Sequence, residues 1–134
     1  PAGARQELTD NMTVFVGTGG DFPTINAALE SIVALYYPKY ISGGNCTRVT
    51  IELLPGFIMS EQVQVDSLDL SWITITGNDD ETIIDVNSLT KKDVGGSLYS
   101  AFRVTNGGFL PIIKQLFNII GTILSLSDQN KSAR

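Results

Sequence analysis

The densest group of side chains able to do chemistry is a run of three acids, Asp79, Asp80 and Glu81. Neighbouring carboxylates can ligate a hard cation such as Ca²⁺, or split their pKa values into an acid and a base. Their spacing matches no calcium loop, however, and Gly77-Asn78-Asp79-Asp80 is ordinary turn chemistry, so a solvated turn is the preferred reading. Asp66 and Asp69 flank a second turn and are read the same way. Gly17-Thr18-Gly19-Gly20 lacks the Gly-Lys-Ser/Thr that would make it a phosphate loop. The chain has no histidine, which removes Ser-His and Cys-His nucleophilic pairs, His-containing metal sites and imidazole proton transfer. The lone Cys46 cannot form an internal disulfide and has no His to activate it, so it reads as a bystander thiol. No catalytic residue, metal site or cofactor is expected.

Aromatic side chains offer a different chemistry, the stacking of sugar rings. Tyr36 and Tyr37 fall on an apolar helical stripe and are expected in the core, with Tyr40 close by in the chain. Trp72 opens an alternating strand, where an outward face would make it the candidate carbohydrate contact. Asn11-Met12-Thr13, Asn45-Cys46-Thr47 and Asn130-Lys131-Ser132 fit the N-glycosylation pattern, a common chance match. A net charge of −5 argues against nucleic acid as a partner, since phosphate binding needs clustered Lys and Arg. The longest apolar tract, residues 109–126, is broken by Pro111, Lys114, Gln115, Asn118 and Gly121, and so makes a poor membrane span.

What must position such groups is a chain of 134 residues, 43% apolar and 17% charged, enough for one globular domain. Residues 1–11 read as a linker, in a chain expected to be a fragment or processed form of something longer. Met12–Val16 is a β-prone run. Ile25, Ala28, Leu29, Ile32, Val33, Tyr36 and Tyr37 then form one apolar stripe, which predicts a helix over 25–37, capped by Thr24 or Asp21 and stopped by Pro38. Beyond it the period changes to two. Val49, Ile51 and Leu53 alternate with polar residues, followed by Val63 and Val65, by Trp72 to Thr76, by Thr82 to Val86, and by Ala101 to Val104. Residues 91–97 read as an inserted loop. Ile51, Ile75 and Val104 stand 24 and then 29 residues apart, inside the range of solenoid repeats. An antiparallel sandwich also gives many short strands, and periodicity favours the solenoid only slightly.

The order of segments adds to this. Gly17-Thr18-Gly19-Gly20-Asp21-Phe22-Pro23-Thr24-Ile25 leading into a helix resembles the opening of pectinesterases and other pectate-lyase-like β-helix proteins. The resemblance continues through Val49-Thr50-Ile51-Glu52-Leu53-Leu54-Pro55-Gly56, Glu61-Gln62-Val63-Gln64-Val65, Trp72-Ile73-Thr74-Ile75-Thr76-Gly77, Glu81-Thr82-Ile83-Ile84 and Ala101-Phe102-Arg103-Val104. It covers roughly residues 12–113 and is closest in look to β-helix tail proteins of bacteriophages and prophages. Two departures matter. The family's Gly-x-Tyr-x-Glu element is replaced by Gly56-Phe57-Ile58-Met59-Ser60-Glu61, and no counterpart of its catalytic Asp, Gln and Arg residues can be assigned.

The resemblance implies a mainly β chain, a right-handed parallel β-helix with one amphipathic capping helix. On that reading residues 12–113 hold the cap and the first coils, and the apolar tail 114–134 is a second cap or an oligomer interface, its part 118–134 not looking like another coil. It further implies a structural module of a phage or prophage tail spike or fibre, on a virion tail or otherwise extracellular, supporting contact with a host-surface polysaccharide or receptor. The alternative is the N-terminal part of a carbohydrate esterase, lyase or hydrolase with its active site on later coils. A homo-oligomer is expected, with a trimer the first number to try.

Overall fold

The structure is a computed structural model that describes residues 4–59, 61–77, 83–85, 102–114 and 118–120, the backbone alone for 83–85 and 118–120. The acidic corner Asp79-Asp80-Glu81, the loop 91–97, residues 1–3 and the sequon at Asn130 lie outside the described residues. The chain is mainly β, with parallel sheets and, among the described residues, one helix. In order come β1 (Gln6–Leu8), β2 (Met12–Val16), α1 (Ile25–Leu35), β3 (Tyr36–Pro38), β4 (Val49–Leu53), β5 (Ile58–Met59) and β6 (Val63–Asp66). They are followed by β7 (Ile73–Thr76), β8 (Ile83–Asp85), β9 (Phe102–Thr105), β10 (Ile112–Lys114) and β11 (Asn118–Ile120).

The strands form a four-stranded sheet in the order β10-β7-β4-β2, a three-stranded sheet β11-β8-β5, and the pairs β6-β9 and β1-β3. Every pair of named strands is parallel. An antiparallel sandwich is therefore excluded; among the described residues the one antiparallel contact is the isolated bridge between Tyr40 and Cys46.

Register follows from the period of two. β4 alternates buried and half-buried residues along its whole length. Its inward Ile51 aligns with Val14 of β2 on one side and with Ile75 of β7 on the other, and Ile75 in turn aligns with Ile113 of β10. Val63 aligns with Phe102, and Val65 with Val104. A slip of one residue would turn each of these columns to solvent, so the buried face holds the register. Ile51, Ile75 and Val63 are wholly buried.

α1 closes over this core with Ile25, Ala28, Leu29 and Ile32 buried, and packs against β3 and against β2, the outermost strand of the four-stranded sheet. Thr24 is the N-cap, its Oγ1 accepting from the Ala27 N–H at 3.1 Å.

The helix ends at Leu35, two residues short of expectation. Tyr36 and Tyr37 belong instead to β3, which pairs with β1. Pro38 supplies the reason, because its ring disfavours helical backbone at the residue before it, and an aromatic pair suits a strand. β1 in turn corrects the linker expected at 1–11: Leu8 is buried, and its carbonyl accepts from Thr47 Oγ1 at 2.7 Å. A third correction concerns the tail. Residues 118–120, expected to leave the coil pattern, lie in register beside β8.

Candidate functional site

Two carboxylates at the ends of β6 organise the molecule. Glu61 stands just before that strand, and its Oε2 accepts from the Ile25 N–H at 2.8 Å and the Asn26 N–H at 3.4 Å. Asn26 returns the contact by donating its Nδ2 to the Gln62 carbonyl at 3.0 Å. The free N–H groups and positive dipole end of α1 thus meet a carboxylate supplied by a remote segment. Burial is the largest influence on Glu61 and raises its pKa above the ordinary value, against the lowering effect of bonds from Ile25, Asn26 and Thr24. The group is half-buried, and its bonds to the start of α1 make it a structural anchor.

Asp66 ends the same strand on the surface. Its Oδ1 accepts from Asn106 Nδ2, from Thr105 Oγ1 at 3.1 Å and from Ser67 Oγ at 3.3 Å. The bond from Asn106, then that from Thr105, holds its pKa below the ordinary aspartate value. Ser67 and Asn106 follow paired strand residues and both take left-handed backbone, with φ of 66° and 54°. The turn expected here as merely solvated is a bonded junction between two strands.

The other expected residues are placed as follows. Trp72 is buried at 6% exposure, and its Nε1 donates to the Asp69 carbonyl at 3.0 Å. The outward face needed for sugar stacking is not there, because the residue belongs to the buried core. Asp69 makes an ordinary turn, its Oδ1 accepting from the Ser71 N–H at 2.9 Å and from Ser71 Oγ at 2.6 Å. Tyr36 packs against the core, Tyr37 lies under the Arg5 guanidinium at 5.9 Å, and Tyr40 is the most exposed aromatic among the described residues, at 67%. Cys46 is half-buried and free. Asn11 Oδ1 accepts from the Arg48 N–H at 2.9 Å, while Asn45 sits in an exposed turn.

A groove of about 350 Å³ runs between α1 and the turn after β6, its lining including Leu29, Val33, Leu68 and Leu70 together with Glu30 and Gln64. Among the described residues, no three His, Cys, Asp or Glu side chains gather closely enough to hold a metal ion. No helix among them is long and apolar enough to cross a membrane. The sequence reading missed Glu61 and Asn106 as anchors. A left-handed turn was signalled by Asn106-Gly107, but the reach of Glu61 across 36 residues to α1 left no local trace. No family model, curated protein or solved structure matches the chain.

Proposed function

We propose that the chain is the capped N-terminal part of a right-handed parallel β-helix and serves as a structural module of a phage or prophage tail spike or fibre. The order in which strands are dealt to the sheets is its main support. β4, β5 and β6 go to three different sheets, β7, β8 and β9 return to the same three in turn, and β10 and β11 begin again. Coils are the simplest path with that order, and a crossover between parallel strands of one sheet is right-handed in about 98% of cases. α1 over the outermost strand suits a cap, since an uncovered first coil would expose apolar core. The tail-spike role rests on the resemblance of the segments from Gly17 onward. Contact with host-surface polysaccharide or receptor is then made by other parts of the particle, and the module associates as a homotrimer.

Sedimentation equilibrium of the purified chain, with turnover of acidic polysaccharides followed in the same preparation, tests this. A trimer without turnover is expected. A monomer at micromolar concentration would overturn the spike module. Robust release of methanol or reducing ends would move the chain to the N-terminal part of a carbohydrate esterase, lyase or hydrolase.

A further inference from the structure

The edge of β2 carries a contact that the packing of α1 does not require. In β2 the backbone groups of Met12 and Val16 face β4, as the bonds from Met12 N–H to the Arg48 carbonyl and from Leu54 N–H to the Val16 carbonyl require. Thr13, Phe15 and Gly17 therefore present their N–H and C=O groups to the open side. Such a row is a template for a strand from another chain.

Here the turn after β2 folds back and takes most of that row for itself. The Phe15 carbonyl accepts from the Asp21 N–H at 2.7 Å and the Phe22 N–H at 3.2 Å. The Phe15 N–H donates to Asp21 Oδ2 at 2.9 Å, and the Gly17 N–H donates to the Phe22 carbonyl at 2.9 Å. A parallel bridge between Val16 and Phe22 completes the cover. The approach is close enough that a Cβ on Gly20 would stand 2.7 Å from the Phe15 carbonyl oxygen. Within β2, Thr13 alone keeps an outward pair that the turn does not take up, too short a stretch to seat a strand.

We propose that residues 17–22 are a built-in edge guard, an autoinhibitory contact that stops a second chain from adding a strand to β2 and leaves strand addition to the opposite side of the sheet. At that side β10 is the last strand among the described residues. The guard works on a parallel edge whatever the winding of the chain, so it stands or falls apart from the spike module. The exposed Asp21 strengthens it, because an incoming strand would have to displace a charged, bonded carboxylate.

The test is assembly of the full chain, followed by sedimentation velocity and thioflavin fluorescence, in Gly20→Val and in the double variant Gly20→Val/Thr13→Pro. Gly20→Val is expected to release the turn and raise thioflavin-positive assembly several-fold. Thr13→Pro removes the remaining outward N–H and is expected to bring assembly back toward the parent level. Gly20→Val that keeps the parent circular dichroism yet assembles no more than the parent would overturn the guard, as would assembly indifferent to Thr13→Pro. Asp21→Ala covers the case in which Gly20→Val does not fold: faster hydrogen exchange at the Phe15 amide with more assembly supports the guard, and no change in either overturns it.

Discussion

Glu61 and Asp66 flank the same four-residue strand and do the same mechanical work by opposite electrostatic routes. Each ties its strand to a segment far off in sequence, Glu61 to the start of α1 and Asp66 to the turn after β9. Each accepts several hydrogen bonds. Glu61 is half-buried and its pKa is raised, whereas Asp66 is exposed and its pKa is lowered. Bonds to a carboxylate favour its charged form, and burial disfavours it. The pair shows which influence wins: with similar partners, the loss of water decides the sign.

Removing the anchors separates them by size of effect. Glu61→Ala leaves the N–H of the wholly buried Ile25 without its acceptor and is expected to lower stability by about 1–3 kcal/mol. Glu61→Gln keeps an acceptor oxygen at the same reach, and its loss should stay below about 1 kcal/mol. Urea midpoints for the two variants check this. Equal losses would mean that the carboxylate charge at the helix end, and not the bond, holds α1 down.

The dependence on pH sharpens the contrast further, since the two groups must slope in opposite directions. Glu61 has a raised folded pKa, so its favourable contribution is full below the ordinary glutamate value and is lost as pH rises through the folded one. The stability of the parent relative to Glu61→Gln should therefore fall as pH rises above the ordinary glutamate pKa of about 4.3. Asp66 has a lowered folded pKa, so its contribution is present above the ordinary aspartate value and is lost as pH falls through the folded one. Relative to Asp66→Asn, the parent should lose stability as pH falls below the ordinary aspartate pKa of about 3.9. Chemical denaturation across both values reads both slopes, and two slopes of the same sign would break the comparison.

What was legible in the chain divides along the same line. The stripe from Ile25 to Ile32 and the alternation in Val49–Leu53 are local patterns imposed by burial, and both elements stand where those patterns put them. β1 was illegible because Gln6–Leu8 is too short to alternate and owes its place to Tyr36–Pro38 on the far side of a helix. Tyr36 and Tyr37 continued the apolar stripe, yet Pro38 and the β1 partner outweighed it. Trp72 was misread because an alternating pattern assigns a face only inside the strand, and β7 starts one residue later, at Ile73. The anchors depend on contacts between residues 36 and 40 positions apart, which no window of sequence contains.

The smallest expected effect lies within the Asp66 junction, where the two left-handed residues meet the same carboxylate unequally. A left-handed backbone costs an ordinary residue about 1–2 kcal/mol, and asparagine tolerates it better than serine. Ser67 contributes only a long bond to Asp66, at 3.3 Å, so Ser67→Gly removes strain and little else. Set against that relief is the greater freedom of glycine in the unfolded chain, about 0.5–1 kcal/mol, which brings the net change close to zero. Asn106→Gly has less strain to relieve and gives up the bond that lowers the Asp66 pKa most, so it should destabilise. It should also let the Asp66 pKa rise toward its ordinary value, a change visible by NMR titration of the carboxyl carbon. Ser67→Gly should leave that titration almost unmoved. If the two glycine variants shift it equally, Asp66 is held by the shape of the paired turns and not by the Asn106 amide.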